Sequence, residues 1–511
     1  MRETTPLLQN TEDAESSHAH LVESPTIKHS SILENFKVKA SQYTRVFNIQ
    51  LVLLLLTRFG EGATFAVAFP FVNFMIYENG LVDTPEQAGY IAGIIEGVFP
   101  FAEFLVIPRW SALSKRIGRK PVTLIALCAV SVAAPLFGLS HSLWAMLATR
   151  ALAGSLNGNI AVIKSAMNEI TPEEDLPVAF SFDPLAWGLG SSVGLFIGGY
   201  FDNPVERWPS TFGGINFFIK NPHFLPCLVA ALIPALIAIS CFIFLKETRV
   251  NNGEEDEEEE DEQQSILTSS NNGSSTSLAS FSSTLSVRTD RISIILSLAC
   301  GLSAFVSMAH LVLTPLMAFT PIESGGLGLT TRQLGTTLSV SRFVGLVSIQ
   351  AVAYPIIQKY IEPFKLICIQ AAVWPIMYAC FPVLNIIAMN FPDTYTIISV
   401  SVFVVVERVA GAALVTALMC LKNLISSPNK FDKANARLQA TVCLVRSFAP
   451  PLSAILYAFS IEHQVLGGYA VWLALELLGL AMFGLCTLIY DSQRRRALDM
   501  LNFEVPSSSS L

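Results

Sequence analysis

Charged side chains are scarce in this chain. They make up 14% of its 511 residues, against about 25% in an ordinary soluble domain. A basic surplus is missing too: 32 Lys and Arg stand against 40 Asp and Glu, for a net charge of −8, which argues against a nucleic-acid partner. Much of the acidic excess is one run, Glu254 to Glu262, and such a block repels itself and stays solvated. No Cys-x-x-Cys occurs among the nine cysteines, Cys128, Cys227, Cys241, Cys300, Cys368, Cys380, Cys420, Cys443 and Cys486. All lie in or beside apolar stretches, so they read as small buried hydrophobes, with neither a disulfide frame nor a metal site implied. There is no G-x-S-x-G, no Walker loop and no H-E-x-x-H. An enzyme site, a bound cofactor and a self-contained ATP-driven pump are all excluded on that reading. Residues 1–40 are polar and mixed in charge, with no apolar core of a signal peptide, so the first apolar helix is expected to direct insertion.

What fills the chain instead is apolar: 52% of residues are hydrophobic and the mean hydropathy is +0.52. A helix needs about 20 apolar residues to cross a bilayer, and the spacing predicts twelve such helices, an all-α membrane protein. They fall near 48–77, 88–108, 120–139, 142–166, 178–201 and 223–245, then near 291–319, 332–358, 364–389, 394–422, 433–460 and 468–490. The implied organisation is a disordered cytoplasmic N-terminal tail (1–46), a six-helix bundle (47–245), an acidic Ser-rich cytoplasmic linker (246–290), a second six-helix bundle (291–490) and a cytoplasmic C-terminal tail (491–511). Pro70, Pro100, Pro135, Pro234, Pro315, Pro375, Pro450 and Pro451 interrupt several helices, which buried helices tolerate because neighbours re-satisfy the freed backbone groups.

Loop charge sets the orientation. Arg109, Lys115, Arg116, Arg119 and Lys120 follow the second helix, Lys359 and Lys365 the eighth, and Lys422, Lys430, Lys433 and Arg437 flank the loop after the tenth. The alternate loops hold Glu78, Asp83, Glu86, Asp393, Glu462 and His463 instead. The positive-inside rule therefore places both termini and the linker in the cytoplasm, and Arg494 to Arg496 agree. Two bundles of six on a long linker can rock about a shared site and expose it to each side in turn.

Five features carry a family resemblance. The loop from Trp110 to Pro121 reads WSALSKRIGRKP, Arg150 precedes Gly154, Asn157, Gly158 and Asn159 on the fourth helix, which ends at Glu169, and Gly190, Gly194, Leu195, Gly198 and Gly199 lie on the fifth. The second half adds Gly325-Gly326-Leu327-Gly328-Leu329 before the eighth helix and Asn435, Arg446 and Pro450 on the eleventh. Together these resemble the major facilitator superfamily, in the fungal and plant branch that includes the zinc-induced facilitator-like transporters and in drug:proton-antiporter style. The resemblance spans nearly the whole chain outside the tails and linker. It implies a monomeric secondary carrier with a central cavity between the bundles, a gating loop at Lys115, Arg116, Gly118, Arg119 and Lys120, and a seam between halves at Gly190, Gly194, Gly198 and Gly199. Two departures stand out. Lys115 and Ser111 replace the loop's usual Asp and Gly, and Leu195 replaces the antiporter motif's Pro. A helix N-terminus disfavours cations, so the latch that the acid makes in the family is expected to be weakened or rebuilt, and strict drug:proton antiport is in question.

Ionisable groups inside the apolar runs cost about 2.5–3.5 kcal/mol each on insertion scales and tend to be paired and functional. Arg58 and Glu61 are spaced i,i+3 and can pair on one face. They serve either as a proton or substrate site or as a structural ion pair. Glu96 and Glu103 lie two turns apart on one face of the second helix and are expected to face the bundle interior, where desolvation favours the protonated carboxyl. Either they couple to protons or they bond to neighbouring helices. Arg150 belongs to the motif tied to proton coupling in the family, and its permanent charge suits it to holding a nearby carboxylate ionised. Asn157 and Asn159 read as interhelical bonders. His310 is a candidate proton sensor or an interhelical hydrogen bonder. Glu407 is a weaker coupling candidate beside Arg408, the two expected to point in different directions, and Arg342 and Arg446 are assigned to the cytoplasmic side of the second half.

The functional expectation is a secondary carrier of a small molecule, working by alternating access and coupled to protons through Glu61, Glu96 and Arg150. A non-transporting sensor or scaffold on the same fold is the alternative. In the N-terminal tail Glu3, Leu7 and Leu8 fit an acidic dileucine pattern read by sorting adaptors, which favours a vacuolar or lysosome-like membrane over the plasma membrane. The Ser/Thr-rich stretch 265–286 reads as disordered and phosphorylatable.

Overall fold

Every regular element among the described residues is helical. The computed structural model describes residues 48–157, 159–172, 175–248, 278–357, 360–411, 416–417, 420 and 428–504. From Ile49 onward these form one unit. The sorting motif at Glu3, Leu7 and Leu8, the N-terminal tail and the acidic run 254–262 lie outside the described residues.

In the first half the helices are α1 (Ile49–Ala66), α2 (Val72–Glu78), α3 (Ala88–Ile117), α4 (Arg119–Gly138), α5 (Leu143–Leu156), α6 (Asn159–Ile170), α7 (Leu176–Phe201) and α8 (Phe224–Phe244). The second half holds α9 (Leu278–Phe319), α10 (Thr331–Gly345), α11 (Pro363–Asn390), α12 (Asp393–Gly411), α13 (Pro428–Glu462) and α14 (Ala470–Glu504). Among the described residues, nine helices are long and apolar enough to cross a membrane. Where the three other spans were expected, the chain forms the helices α5 with α6, α7 and α12. Several expected boundaries differ, among them the end of α3, which runs on to Ile117, past the expected 108. Helix α9 begins at Leu278, inside the stretch assigned to the linker, and α14 runs on to Glu504, through the stretch assigned to the C-terminal tail.

Local chemistry explains the breaks. Pro70 has no N–H to donate, and the chain between α1 and α2 turns on three-residue bonds, Phe69 N–H to Ala66 O (3.3 Å) and Phe71 N–H to Ala68 O (3.0 Å). The fourth expected span splits at Asn157, whose φ of −97° and ψ of 36° end α5. Thr330 and Gln333 cap α10 reciprocally. The same helix then widens into a π-helix over Leu346–Ala353.

Within the first half α1 packs on α7, α3 on α5 and α4 on α8, and within the second α9 packs on α13, α10 on α12 and α11 on α14. The halves meet where α3 lies on α13 and α7 on α10. Small residues make both contacts possible. Gly89, Gly93 and Gly97 line one face of α3, and a Cβ on Gly93 would sit 2.6 Å from Pro450 O and 2.7 Å from Ala454 Cβ. Pro451 cannot donate to the Ser447 carbonyl one turn earlier, and a Cβ on Gly97 would lie 3.0 Å from that oxygen. Phe74 of α2 meets Phe319 of α9 edge-on at 4.6 Å between centroids. At the same end Tyr90 Oη donates to Glu462 (2.7 Å), Gln87 Nε2 donates to Glu462 (3.1 Å) and Ser324 Oγ donates to Glu86 (2.7 Å).

Candidate functional site

Three acidic and basic side chains converge in the first half. Arg58 on α1 donates Nη1 to Glu61 one turn on and Nε to Asp183 Oδ1 of α7 at 2.8 Å, and all three residues are buried. The geometry pairs Arg58 with Glu61 on one helix face, and Asp183 is the partner that sequence reasoning missed. Its signal was present: Asp183 is a lone acid in the apolar run of α7, just before Pro184. The charges of Glu103 on α3, Lys164 on α6 and Arg446 on α13 act on the same cluster. Arg446 therefore belongs electrostatically with the first half as well as with its own helix.

The second constellation is Glu96 with Arg150. Arg150 Nη2 on α5 donates to Glu96 Oε1 on α3 at 2.7 Å, and its guanidinium lies 4.4 Å over the Phe137 ring of α4. Gly154, one turn beyond Arg150, lets α5 approach the Phe99 backbone of α3, which sets the helices close enough for this pair. Glu61, Thr64, Phe65, Phe137, Arg150 and Asn157 all line one cavity. Glu96 Oε2, Arg150 Nε and Asn157 Oδ1 are buried with no hydrogen-bond partner among the described residues. Buried polar groups are rarely left so. These three are placed to receive water or a ligand group. Glu103 lies half-buried on α3, away from that cavity lining.

In the loop expected to gate, Arg119 and Lys120 bond to residues of their own half. Lys115 and Arg116 are exposed in the last turn of α3. Their charge suits the C-terminus of their own helix, which favours cations. Gly118 adopts φ +101°, a conformation that side chains rarely adopt. The acid at the N-terminus of α4 comes from Glu247, which accepts from the Arg119 N–H (2.7 Å) and the Lys120 N–H (3.2 Å). Arg119 Nη2 also pairs with Glu169 at 2.9 Å, Thr248 Oγ1 donates to Glu169 at 2.7 Å, and Lys120 Nζ donates to Phe242 O at 2.9 Å.

The expected seam needs correction. Gly190, Gly194 and Gly198 face the backbone of α1 and the turn after it, at Phe59, Ala63 and Val67, all within their own half. Gly199 alone of the four meets the other half, at Gly335 of α10. A run of small residues fixes the close approach of two helices but leaves the partner open. The α3 glycines that do face α13 carry the same four-residue spacing and could have been found by it.

In the second half His310 of α9 is buried between Trp374 and Phe381 of α11, at centroid distances of 5.9 and 5.7 Å. Glu407 and Arg408, expected to point apart, pair with each other, because the long Arg408 side chain folds back along α12. Arg342 is buried on α10.

One further cluster was missed. His223, just before α8, places Nδ1 2.7 Å from Asp202 and Nε2 3.3 Å from Glu78, and its ring stacks on Phe71 at 5.2 Å. Burial works against the imidazolium, but the Asp202 carboxylate and then Glu78 outweigh it and raise the pKa to about 9. Nearby His141 bridges Asn79 (3.1 Å) and Asn221 (3.0 Å).

Comparison with known proteins fits this architecture. Residues 51–406 match the family model described as Major Facilitator Superfamily. The chain is 29% identical to Protein ZINC INDUCED FACILITATOR-LIKE 1 of Arabidopsis thaliana over 396 residues, covering 78% of this chain and 81% of that one. It is 25% identical to Efflux pump azaK of Aspergillus niger over 426 residues, covering 83% and 85%. Among solved structures, a D-xylose-proton symporter superposes with a TM-score of 0.62 at 14% identity, covering 85% of this chain and 96% of that one.

Proposed function

The chain belongs to the Major Facilitator Superfamily, and from that premise we propose that it is a proton-coupled secondary carrier of a small molecule, working by alternating access. Membrane integration and secondary transport follow from the family and its apolar helices. The observation that supports proton coupling is a single cavity lined by both Glu61 and Arg150, with Glu96 held by that arginine.

Arg150 cannot lose its proton. Its Nη2 donates to Glu96 Oε1, and a proton delivered to Glu96 weakens that charge-assisted bond and frees the guanidinium for substrate. Glu61 sits in the same position relative to Arg58, with Asp183 as a second acceptor. Proton binding at Glu96 loosens the tie of α3 to α5, and at Asp183 that of α1 to α7. Such a change of partners is the kind of differential contact that biases one conformation over another.

Both termini and the linker face the cytoplasm in this reading, supported by the basic loops. The contacts of Tyr90, Glu462, Phe74 and Phe319 then close the opposite side. The Glu3, Leu7 and Leu8 pattern supports a vacuolar membrane address, read by sorting adaptors. The competing sensor reading was motivated by Lys115, and membership of a transporter family favours the carrier over it.

The test is purified protein in liposomes carrying an interior pH dye. Candidate solutes offered from outside should drive proton movement, and Glu96→Gln should lower that flux at least tenfold with the protein still folded. Flux unchanged in this variant removes Glu96 from coupling.

A further inference from the structure

The second and fourth helices of each half carry buried opposite charges, but the two halves do not balance alike. In the first half the acid is on the second helix and the base on the fourth, Glu96 and Arg150, one for one at 2.7 Å. In the second half the order is reversed and a charge is left over. Arg342 is on α10, while Glu407 on α12 is already paired by its neighbour Arg408. The charges of Arg342, Arg408 and Glu407 act on one another. Two guanidiniums thus share one carboxylate, and among the described residues Arg342 has no carboxylate within ion-pair distance.

Arg342 is 6% exposed and its Nε has no hydrogen-bond partner among the described residues. An unpaired charge in that setting is costly enough that it is normally paired or functional. A second group nearby is also unsatisfied. His310 is 1% exposed, feels the charges of Glu407, Arg342 and Arg408, and has both ring nitrogens without partners among the described residues. His310 and Thr314 line a small cavity with Phe381, Val400 and Phe403.

The position of Arg342 suits contact with a transported solute. It lies two turns along α10 from Gly335, which puts the two residues on one helix face. Gly335 meets Gly199 of the other half, and between them in sequence Ser339 Oγ donates to the Ser192 carbonyl of α7 at 2.7 Å. Arg342 thus stands on the face of α10 that borders the seam between halves. One turn further on, α10 becomes the π-helix Leu346–Ala353, a local form often found at functional sites.

We propose that Arg342, with Arg408 behind it, forms a monoanion-recognition site in the second half, whose ligand is the carboxylate of a small-molecule substrate. One uncompensated positive charge calls for one negative charge. A planar guanidinium holds a carboxylate through two parallel N–H···O bonds. Glu407 orients Arg408, and His310 supplies a further hydrogen-bonding group beside the apolar wall of Trp374 and Phe381. The first half then handles the proton and the second half the anion, so this inference rests on the carrier reading and gives its substrate a charge class.

The test uses three probes of one shape and different charge: benzoate, benzamide and benzamidine. Binding of each to the full chain in lipid nanodiscs is measured without any gradient. Wild type should bind benzoate at least tenfold more tightly than benzamide, and benzamidine least. Arg342→Gln should abolish that preference, weakening benzoate far more than benzamide, and Arg342→Lys should keep part of it. In the absence of probe, Arg342→Gln should unfold at the same temperature as wild type or higher, because it removes an unpaired buried charge. Equal binding of benzoate and benzamide by wild type, an unaltered preference in Arg342→Gln, or a fall in its unfolding temperature overturns the proposal. None of those outcomes touches the carrier reading, whose own failure would appear as benzoate bound normally by a protein that moves no protons.

Discussion

Gly199 of α7 and Gly335 of α10 meet backbone to backbone across the seam: a Cβ on Gly199 would lie 2.5 Å from the Gly335 Cα and 2.9 Å from the Thr331 carbonyl. Both obstacles are main chain, so no side-chain rotation can relieve them. Gly335→Ala should therefore force α7 and α10 apart at this end. Overpacking of this kind costs about 1–3 kcal/mol. The expected outcome is a lower unfolding temperature in detergent and greater labelling of cysteines introduced near the Phe74–Phe319 contact. Gly214→Ala, where a Cβ meets nothing within 4 Å, should change neither measurement. Identical behaviour of the two variants would show that the close approach is unimportant.

The bond from Arg58 to Asp183 predicts a double-mutant result. Removing one partner of a buried pair leaves the other charged and uncompensated, at a cost of about 3–5 kcal/mol. Arg58 also holds Glu61, so Asp183→Asn alone should be milder than Arg58→Gln alone. Combining the two should cost less than the sum of the single changes, since residues in one network couple by about 0.5–3 kcal/mol. Chemical-denaturant unfolding of the four proteins in one detergent measures the coupling, and strict additivity would mean the two side chains do not interact.

His223 gives a pH dependence whose sign is set by its partners. Its pKa is raised from the ordinary value of 6.5 to about 9. The contribution to stability is then full below about pH 6.5 and is lost as pH rises through about 9. The size is on the order of 3 kcal/mol at most. Unfolding temperature should fall between pH 7 and 10 in the wild type. His223→Gln should be less stable at pH 6 and should show a flatter profile across that range. A wild-type profile that rises toward pH 10 contradicts the assignment.

Much of the architecture was legible because a bilayer imposes a length. Apolar runs of the required extent located α4 and α8 within a few residues and the start of α3, and the loop charges gave a consistent orientation. Polar tails of helices carry no such signal, which is why α9 reaches back to Leu278 and α14 on to Glu504. Within the site, Arg58 and Glu61 could be paired from spacing alone, since three residues along a helix share a face. Glu96 and Arg150 were each visible as costly buried charges, but nothing local says that they face each other.

The chain's own order of residues determined where helices form and which charges must be hidden, because both depend on neighbours within a few turns and on the expense of placing charge in lipid. Which hidden charges meet was settled only by how whole helices rotate and pack. That is why Gly190, Gly194 and Gly198 turn to α1 and the turn after it and not to the other half, and why Glu407 closes on Arg408 and leaves Arg342 without an ion-pair partner among the described residues.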